Sequence, residues 1–292
     1  ELTTTILSMK DYIDKQNLRF ISWGENIIQI LSKMTEYPDY IVFYIEIGYS
    51  NKQNIHDIDE KVVKVFETMK YITNHNKRKC SILCVYPHDQ TLAFAEYSAL
   101  GGFFKSLHLE NSLVSFKMVQ IEPNEFKNIS VGKLIIQELQ EKCNGEEIAY
   151  FKGKRYEKRL FEIVEESNAP SIYRERGVYL ITGGFGGTAS IIAQYLARTY
   201  HANLILTSRR NLGKNEIIKL KEIEKAGGKA IYIKADISNQ EDVTALVDNS
   251  IEHFGHINGV LHTAGIIKDA MLSNKDIQDI KQVLMPKVYG TR

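Results

Sequence analysis

The sequence has 292 residues, 43% hydrophobic and 25% charged, with 37 Lys and Arg against 36 Asp and Glu for a formal net charge of +1. That length suggests about two domains, and the composition is that of a soluble globular chain able to bury a core. The balanced charge excludes a whole-chain electrostatic role on nucleic acid or an anionic membrane, and no apolar run approaches the roughly 20 residues of a transmembrane helix.

The first residues, Glu1-Leu-Thr-Thr-Thr5, lack a basic stretch followed by an apolar one, so no secretory signal is expected. There is no initiator Met, and the sequence stops inside an apparent element, so a piece of a longer chain is expected. Cys80, Cys84 and Cys143 are too few and too odd in number for a disulfide framework. Cys80 and Cys84 lie on the apolar run Cys80–Tyr86 and read as core strand residues rather than metal ligands, which fits a reducing cytoplasm.

Residues 5 to 36 alternate helix-like and strand-like stretches, Ile6 to Ile13, Leu18 to Trp23 and Asn26 to Met34. Tyr40 to Ile47 is rich in β-branched and aromatic residues and reads as a buried strand. A polar loop, Gly48 to His56, leads to Val62, Val63, Phe66, Met69 and Ile72 at helical spacing. Ser81 to Val85 is a further strand, Tyr86 to Gln90 a turn, Ala93 to Leu109 a helix, Leu113 to Ile121 a strand and Val131 to Leu139 a helix. Strands alternating with helices imply a mostly parallel sheet. No strand here is followed by a glycine-rich loop; Trp23-Gly24-Glu25-Asn26 is a turn with one glycine.

Glu147 to Phe161 reads as a hairpin turning at Lys152-Gly153. Its basic residues suit a solvated edge that resists strand pairing better than a nucleic-acid surface, since no aromatic platform extends them. Glu165 to Glu175, with Asn168-Ala-Pro-Ser171, is a polar linker, and it sets the expected domains at 1–170 and 171–292.

The second half opens on Val178 to Ile181, a buried strand that runs into Thr182-Gly183-Gly184-Phe185-Gly186-Gly187-Thr188-Ala189. Ile192, Leu196 and Thr199, with Ala193 and Ala197 beside them, continue at once with helical spacing. Strand, glycine turn and helix together make a dinucleotide fingerprint. Glycines let backbone N–H groups approach a pyrophosphate, and the helix N-terminus favours its charge.

A second strand, Ala202 to Ser208, ends in Arg209-Arg210. An NAD site would want an acid here for the ribose hydroxyls, and none is present. Ser208 and Arg209 suit a 2′-phosphate instead, so the reading is NADPH. A charged helix, Glu216 to Ala226, closes on Gly227-Gly228, and a third strand, Ala230 to Ala235, ends at Asp236-Ile237-Ser238. Asp236 could accept a hydrogen bond from an adenine amino group, or it or Ser238 could cap the helix Gln240 to His253. A fourth strand, Gly259 to His262, leads into Thr263-Ala264-Gly265, small residues against which a cofactor ribose could lie. A last helix, about Lys275 to Gly290, has Ser273 as its expected N-cap, Ile277, Ile280, Leu284 and Val288 as its buried face, and a kink at Pro286. By spacing alone Lys287 reads as a solvated charge.

These motifs, with Thr207-Ser-Arg-Arg210, His262-Thr-Ala-Gly265 and Val283-Leu-Met-Pro-Lys-Val-Tyr-Gly290, resemble the ketoreductase domain of modular polyketide synthases, in the short-chain dehydrogenase/reductase superfamily. In the first half Ala99 to Glu110 and Ala149 to Tyr156 look like the family's structural subdomain. The resemblance implies an α/β architecture: a truncated Rossmann-like subdomain without a cofactor site, then a Rossmann-like doubly wound parallel sheet, incomplete here. It implies NADPH reduction of a β-ketoacyl thioester tethered to an acyl carrier protein, alongside other synthase domains. By the family pattern Lys287 matches the catalytic Lys, where a cation would lower the pKa of a Tyr proton donor and orient it. Thr182 to Thr188, Ser208, Arg209, Asp236, Ile237 and Thr263 to Gly265 are the expected cofactor contacts.

The family's Ser and Tyr should follow Lys287 by a few tens of residues, and Tyr289 sits too close to Lys287 to be that Tyr. The polypeptide as given is therefore expected to be inactive alone. Ile267-Lys268-Asp269 stands where B-type enzymes carry Leu-Asp-Asp, so Asp269 either points to B-type stereocontrol or is an ordinary loop carboxylate. A non-catalytic scaffold domain and a stand-alone NADP-binding regulatory module are the competing readings, separable by NADPH titration and by the response to carrier protein.

Overall fold

The computed structural model describes residues 18–21, 27–34, 36–44, 55–87, 95–122, 131–141, 145–163 and 170–291. The expected Ile6–Ile13 element, the Trp23–Asn26 turn, the end of the Tyr40–Ile47 strand and Cys143 lie outside them. The chain divides into two compact units, Glu1–Glu162 with Ala270–Asn274, and Ile163–Asp269 with Lys275–Arg292.

In the first unit the elements run β1 Leu18–Ile21, α1 Ile27–Ser32, β2 Tyr40–Tyr44, α2 Ile55–His75, β3 Cys80–Pro87, α3 Ala95–Glu110, β4 Val114–Ile121, α4 Val131–Gln140, β5 Glu146–Phe151 and β6 Lys154–Glu157. The sheet order is β1-β2-β3-β4-β5-β6. Every described neighbour pair is parallel except the β5–β6 hairpin. Strands covered on both faces read as continuous apolar runs, which is why β2, β3 and β4 are buried along nearly their whole length. Val42, Tyr44, Leu83, Val85, Val119 and Ile121 share one core with Leu134, Ile135 and Leu139 of α4. Cys80 and Cys84 are buried in β3, and burial pushes both thiols up to about 12. Tyr86 and Pro87, read from the sequence as the start of a turn, are the last residues of β3. Pro87 fits there because it ends the ladder, where a missing N–H interrupts nothing. The hairpin turns at Lys152 and Gly153 with φ of 49° and 70°, the paired left-handed conformation of a tight two-residue turn.

This unit buries a charged cluster. Lys117 Nζ donates to the carbonyl of Glu138 at 2.8 Å and to its carboxylate at 3.0 Å. That carboxylate also accepts from the Tyr150 hydroxyl at 2.6 Å and Arg155 Nε at 2.7 Å. Burial pushes the Glu138 carboxyl up, but the hydrogen bonds from Arg155, Tyr150 and Lys117 outweigh it and hold it below the usual carboxylate range.

In the second unit the elements are β7 Val178–Thr182, α5 Gly187–Tyr200, β8 Asn203–Ser208, α6 Lys214–Lys225, β9 Lys229–Lys234, α7 Gln240–Phe254, β10 Gly259–His262 and α8 Ile277–Leu284, which passes into a π-helical turn, Met285–Tyr289. The sheet is all parallel in the order β10-β7-β8-β9. The chain steps outward from β7 to β9, then returns past β7 to lay down β10. Strand order therefore reverses between β7 and β10, the switch point where open parallel sheets take ligands. Alternate residues of β7 feed two cores: Tyr179 and Ile181 pack with Ala189, Ala193, Leu196 and Ala197 of α5, while Val178 and Leu180 pack with Leu246 of α7.

Three local expectations are corrected. The buried face of α5 is Ala189, Ala193, Leu196 and Ala197; Thr199 is exposed, because small residues bring this helix close to the sheet. Neither Asp236 nor Ser238 caps α7: Asn239 does, its side chain accepting from Glu241 N and Asp242 N. The last helix is capped by Asp276 rather than Ser273, which lies in a 3₁₀ turn, Leu272–Asn274. Its apolar positions Ile277, Ile280, Leu284 and Val288 are only half-buried. Among the described residues no helix is long and apolar enough to cross a membrane.

Candidate functional site

The segments leaving β7, β8, β9 and β10 line a cleft of about 320 Å³. Gly183, Phe185 and Gly186 come from the first, Thr207 to Arg210 from the second, Ala235 to Ser238 from the third, and Ala264 to Ile266 from the fourth; Met285 and Pro286 of the π-turn and Glu216 of α6 complete the lining.

The glycine loop is shaped by close approach. Gly183 has φ +65°, and a Cβ there would lie 2.8 Å from Ala264 Cα. A Cβ on Gly184 would lie 2.7 Å from Leu206 Cβ, so this glycine packs the loop against β8. Gly183→Ala is expected to destabilise the second unit by about 1–3 kcal/mol; hydrogen exchange of the β7 amides measures it. Lys219 Nζ holds the loop from outside, donating to the Phe185 carbonyl at 2.8 Å and to Ser190 Oγ at 3.2 Å. Gly186 is the N-cap of α5 and offers no side-chain cap, and the first turn carries no acid. The first N–H groups of that helix lack intrahelical acceptors, so this end can receive an anion.

At the end of β8, Ser208 is half-buried and Arg209 and Arg210 are exposed. The Tyr232 hydroxyl is shared between the carbonyls of Ser208 and Arg210, which fixes this turn. Thr207 is buried, and its Oγ1 has no hydrogen-bond partner among the described residues. A buried hydroxyl without a partner in a cleft lining suits a polar ligand. An acid does reach the cleft, but from α6: Glu216 accepts from Gly213 N at 3.1 Å, reaching back to the N-cap backbone. Asp236 Oδ1 accepts from Ser238 N and Oγ, folding the β9 exit into a tight turn.

Thr182 and Thr263 stand behind the cleft and tie β7 to β10. Thr263 Oγ1 donates to the Thr182 carbonyl at 2.6 Å, and Ala264 N donates to Thr182 Oγ1 at 3.3 Å. Gly184, Gly187, Thr188, Asp269 and Lys287 also lie outside the lining, while Gly183, Phe185, Gly186, Ser208, Arg209, Asp236, Ile237, Ala264 and Gly265 are brought together in it. Asp269 is exposed. Lys287 is exposed on the π-turn, its Cε 4.0 Å from where a Cβ would sit on Gly265. Sequence reasoning missed Thr207, Lys219, Tyr232 and Glu216. Thr207 stood in the Thr207–Arg210 motif and Glu216 opened the charged helix, but neither was assigned to the site.

Residues 177–292 match the family model described as "KR domain", and residues 24–138 match "Beta-ketoacyl synthase-like, N-terminal". Among curated proteins the chain is 30% identical over 276 residues to polyketide synthase PksN of Bacillus subtilis, covering 87% of this chain and 5% of that protein. It is 35% identical over 197 residues to polyketide synthase PksL of Bacillus subtilis, covering 66% of this chain and 4% of that one. Among solved structures it is similar to an N-terminal ketoreductase from the macrolactin assembly line, with a TM-score of 0.81, 24% identity, and coverage of 99% of this chain and 64% of that one. A ketoreductase domain from the bacillaene assembly line gives a TM-score of 0.73 at 24% identity, with coverage of 94% and 64%. The chain thus spans under two thirds of these solved chains and a small fraction of the synthases. The second unit thus has an α/β Rossmann-like fold whose glycine loop opens onto the switch point, its residues 177–292 match the KR domain family, and the chain as a whole is similar to ketoreductase domains of polyketide synthases.

Proposed function

We propose that the protein serves the NADPH-dependent reduction of a β-ketoacyl thioester, carried on an acyl carrier protein, to the β-hydroxyacyl form, working beside other synthase domains in a reducing cytoplasm. The observation that carries this reading is Arg209 lining the same cleft as the glycine loop. A guanidinium grips a 2′-phosphate as a fork, and Ser208 adds a hydroxyl beside it. The unpartnered Thr207 hydroxyl and the uncapped N-terminus of α5 also fit a phosphate-rich ligand.

When bound, NADPH supplies the hydride that adds to the keto carbon. The chain's own groups bind and orient. In this reading the loop from Gly183 to Thr188 carries the pyrophosphate, Asp236 and Ile237 meet the adenine, and Thr263 to Gly265 back the ribose. Lys287 holds positive charge beside the proton donor that completes the alcohol. Tyr289, two residues on along the same turn, takes no part as that donor. Asp269 is assigned to stereocontrol of the B type. Residues 1–170 are assigned as a structural subdomain without a cofactor site, a reading that rests on the lack of a glycine-rich loop after its strands in the sequence. Its synthase-like match does not alter this. Acyl transfer through a thiol needs an accessible thiolate, and Cys80 and Cys84 are buried with raised pKa values.

Arg209→Ala is expected to raise the Kd for NADPH by about 10- to 100-fold, the worth of charge-assisted hydrogen bonds, and to leave that for NADH nearly unchanged. Fluorescence titration with both cofactors measures the difference. The function itself is tested by assaying the full-length protein for NADPH oxidation with a β-ketoacyl thioester on carrier protein. Absence of turnover in a protein that binds NADPH would favour the scaffold reading.

A further inference from the structure

His262 is the last residue of β10 and pairs in register with Thr182 at the switch point. Both ring nitrogens are engaged: Nε2 lies 3.0 Å from the Pro286 carbonyl oxygen, and Nδ1 lies 3.0 Å from Thr182 Oγ1. A carbonyl oxygen only accepts, so Nε2 carries the proton. Thr182 Oγ1 already accepts from Ala264 N–H, and its own proton is satisfied by an unprotonated Nδ1. One direction of donation therefore satisfies every group, from Ala264 N–H to Thr182, from the Thr182 hydroxyl to Nδ1, and from Nε2–H to Pro286.

The Pro286 carbonyl is available for a reason written in the helix. In an α-helix it would accept from Gly290 N–H. Here Gly290 N–H bonds instead to the Met285 carbonyl at 3.1 Å, the shifted pattern of a π-turn. The turn thus frees the carbonyl immediately before Lys287 and hands it to an imidazole seated on the sheet. Lys287 is exposed.

We propose that His262, as its Nε2–H tautomer, is a positioning residue that sets the place of Lys287 by holding the Pro286 carbonyl. This rests on the catalytic reading of Lys287 given above.

The test compares two isosteres in the full-length protein. Gln places an amide N–H near the position of Nε2, whereas Asn reproduces only the Nδ1 side. His262→Gln is expected to keep kcat for thioester reduction within about threefold, and His262→Asn to lose tenfold or more, with the Kd for NADPH within about twofold in both. His262→Asn is further expected to add nothing in a Lys287→Met background, because the two act as one unit. In the wild type, imidazole ¹⁵N shifts should report the Nε2–H tautomer. Equal losses in His262→Asn and His262→Gln, full additivity with Lys287→Met, or an Nδ1–H tautomer would each overturn the positioning role. Wild-type turnover in Lys287→Met would instead overturn the catalytic reading on which it rests, so the two failures are told apart.

Discussion

Replacing Lys287 with Met is expected to lower kcat for thioester reduction by about 10²- to 10⁴-fold, the usual contribution of acid–base assistance, while the Kd for NADPH stays within about twofold. The split follows from placement. The groups assigned to phosphate and adenine, Arg209 and Asp236 among them, line the cleft from the exits of β8 and β9, and Lys287 lies outside that lining. Lys287 Cε comes within 4.0 Å of where a Cβ would sit on Gly265, one of the residues assigned to the ribose. Loss of its charge removes an interaction made with the proton donor, not with the cofactor's phosphates. Lys287→Arg keeps the charge and should recover part of the rate. Stopped-flow measurement of NADPH oxidation beside equilibrium titration separates the two quantities, and a loss confined to cofactor affinity would contradict the assignment.

How far the sequence carried this picture depended on how local each signal was. The glycine turn was legible as a turn, because Gly183 and Gly184 stand where a Cβ would run into Ala264 and Leu206. The strands were legible as apolar runs, since a parallel sheet buries both faces. Helix caps were not. Asp236, Ser238 and Asn239 all have cap chemistry, and the choice of Asn239 turned on Asp236 being engaged by Ser238. The π-turn was half legible: Pro286 announced a break, but its form depends on Gly290 and on His262, 24 residues away. Lys219 and Tyr232 were silent for the same reason. A Lys on a charged helix and a Tyr in a strand acquire meaning only from what the fold sets across from them.

Glu138→Leu is expected to destabilise the first unit by about 3–5 kcal/mol, the cost of breaking a buried ion pair by removing one partner. The size comes from what is left behind. Lys117 and Glu138 side chains are both 0% exposed. Without the Glu138 carboxylate the ammonium of Lys117 keeps the backbone carbonyl of residue 138 at 2.8 Å, but the carboxylates left to balance its charge, Glu141 and Glu146, are 4.0 Å away, beyond hydrogen-bond range. Lys117→Met combined with Glu138→Leu should recover much of the loss, since an apolar pair of similar volume carries no stranded charge. The same cluster makes the unit acid-sensitive. Because the Glu138 carboxyl is held below its ordinary value of 4.5, its contribution is complete above that value and is lost as pH falls through the lower folded value. Hydrogen exchange of the β4 amides reads this unit apart from the second. Protection there should fall in Glu138→Leu, return in the double variant, and decline below about pH 4 more steeply in the wild type than in the double variant, where Glu147, held down by Lys105 and Lys158, still titrates. Equal protection in all three would show that the cluster adds nothing to the net stability of the sheet.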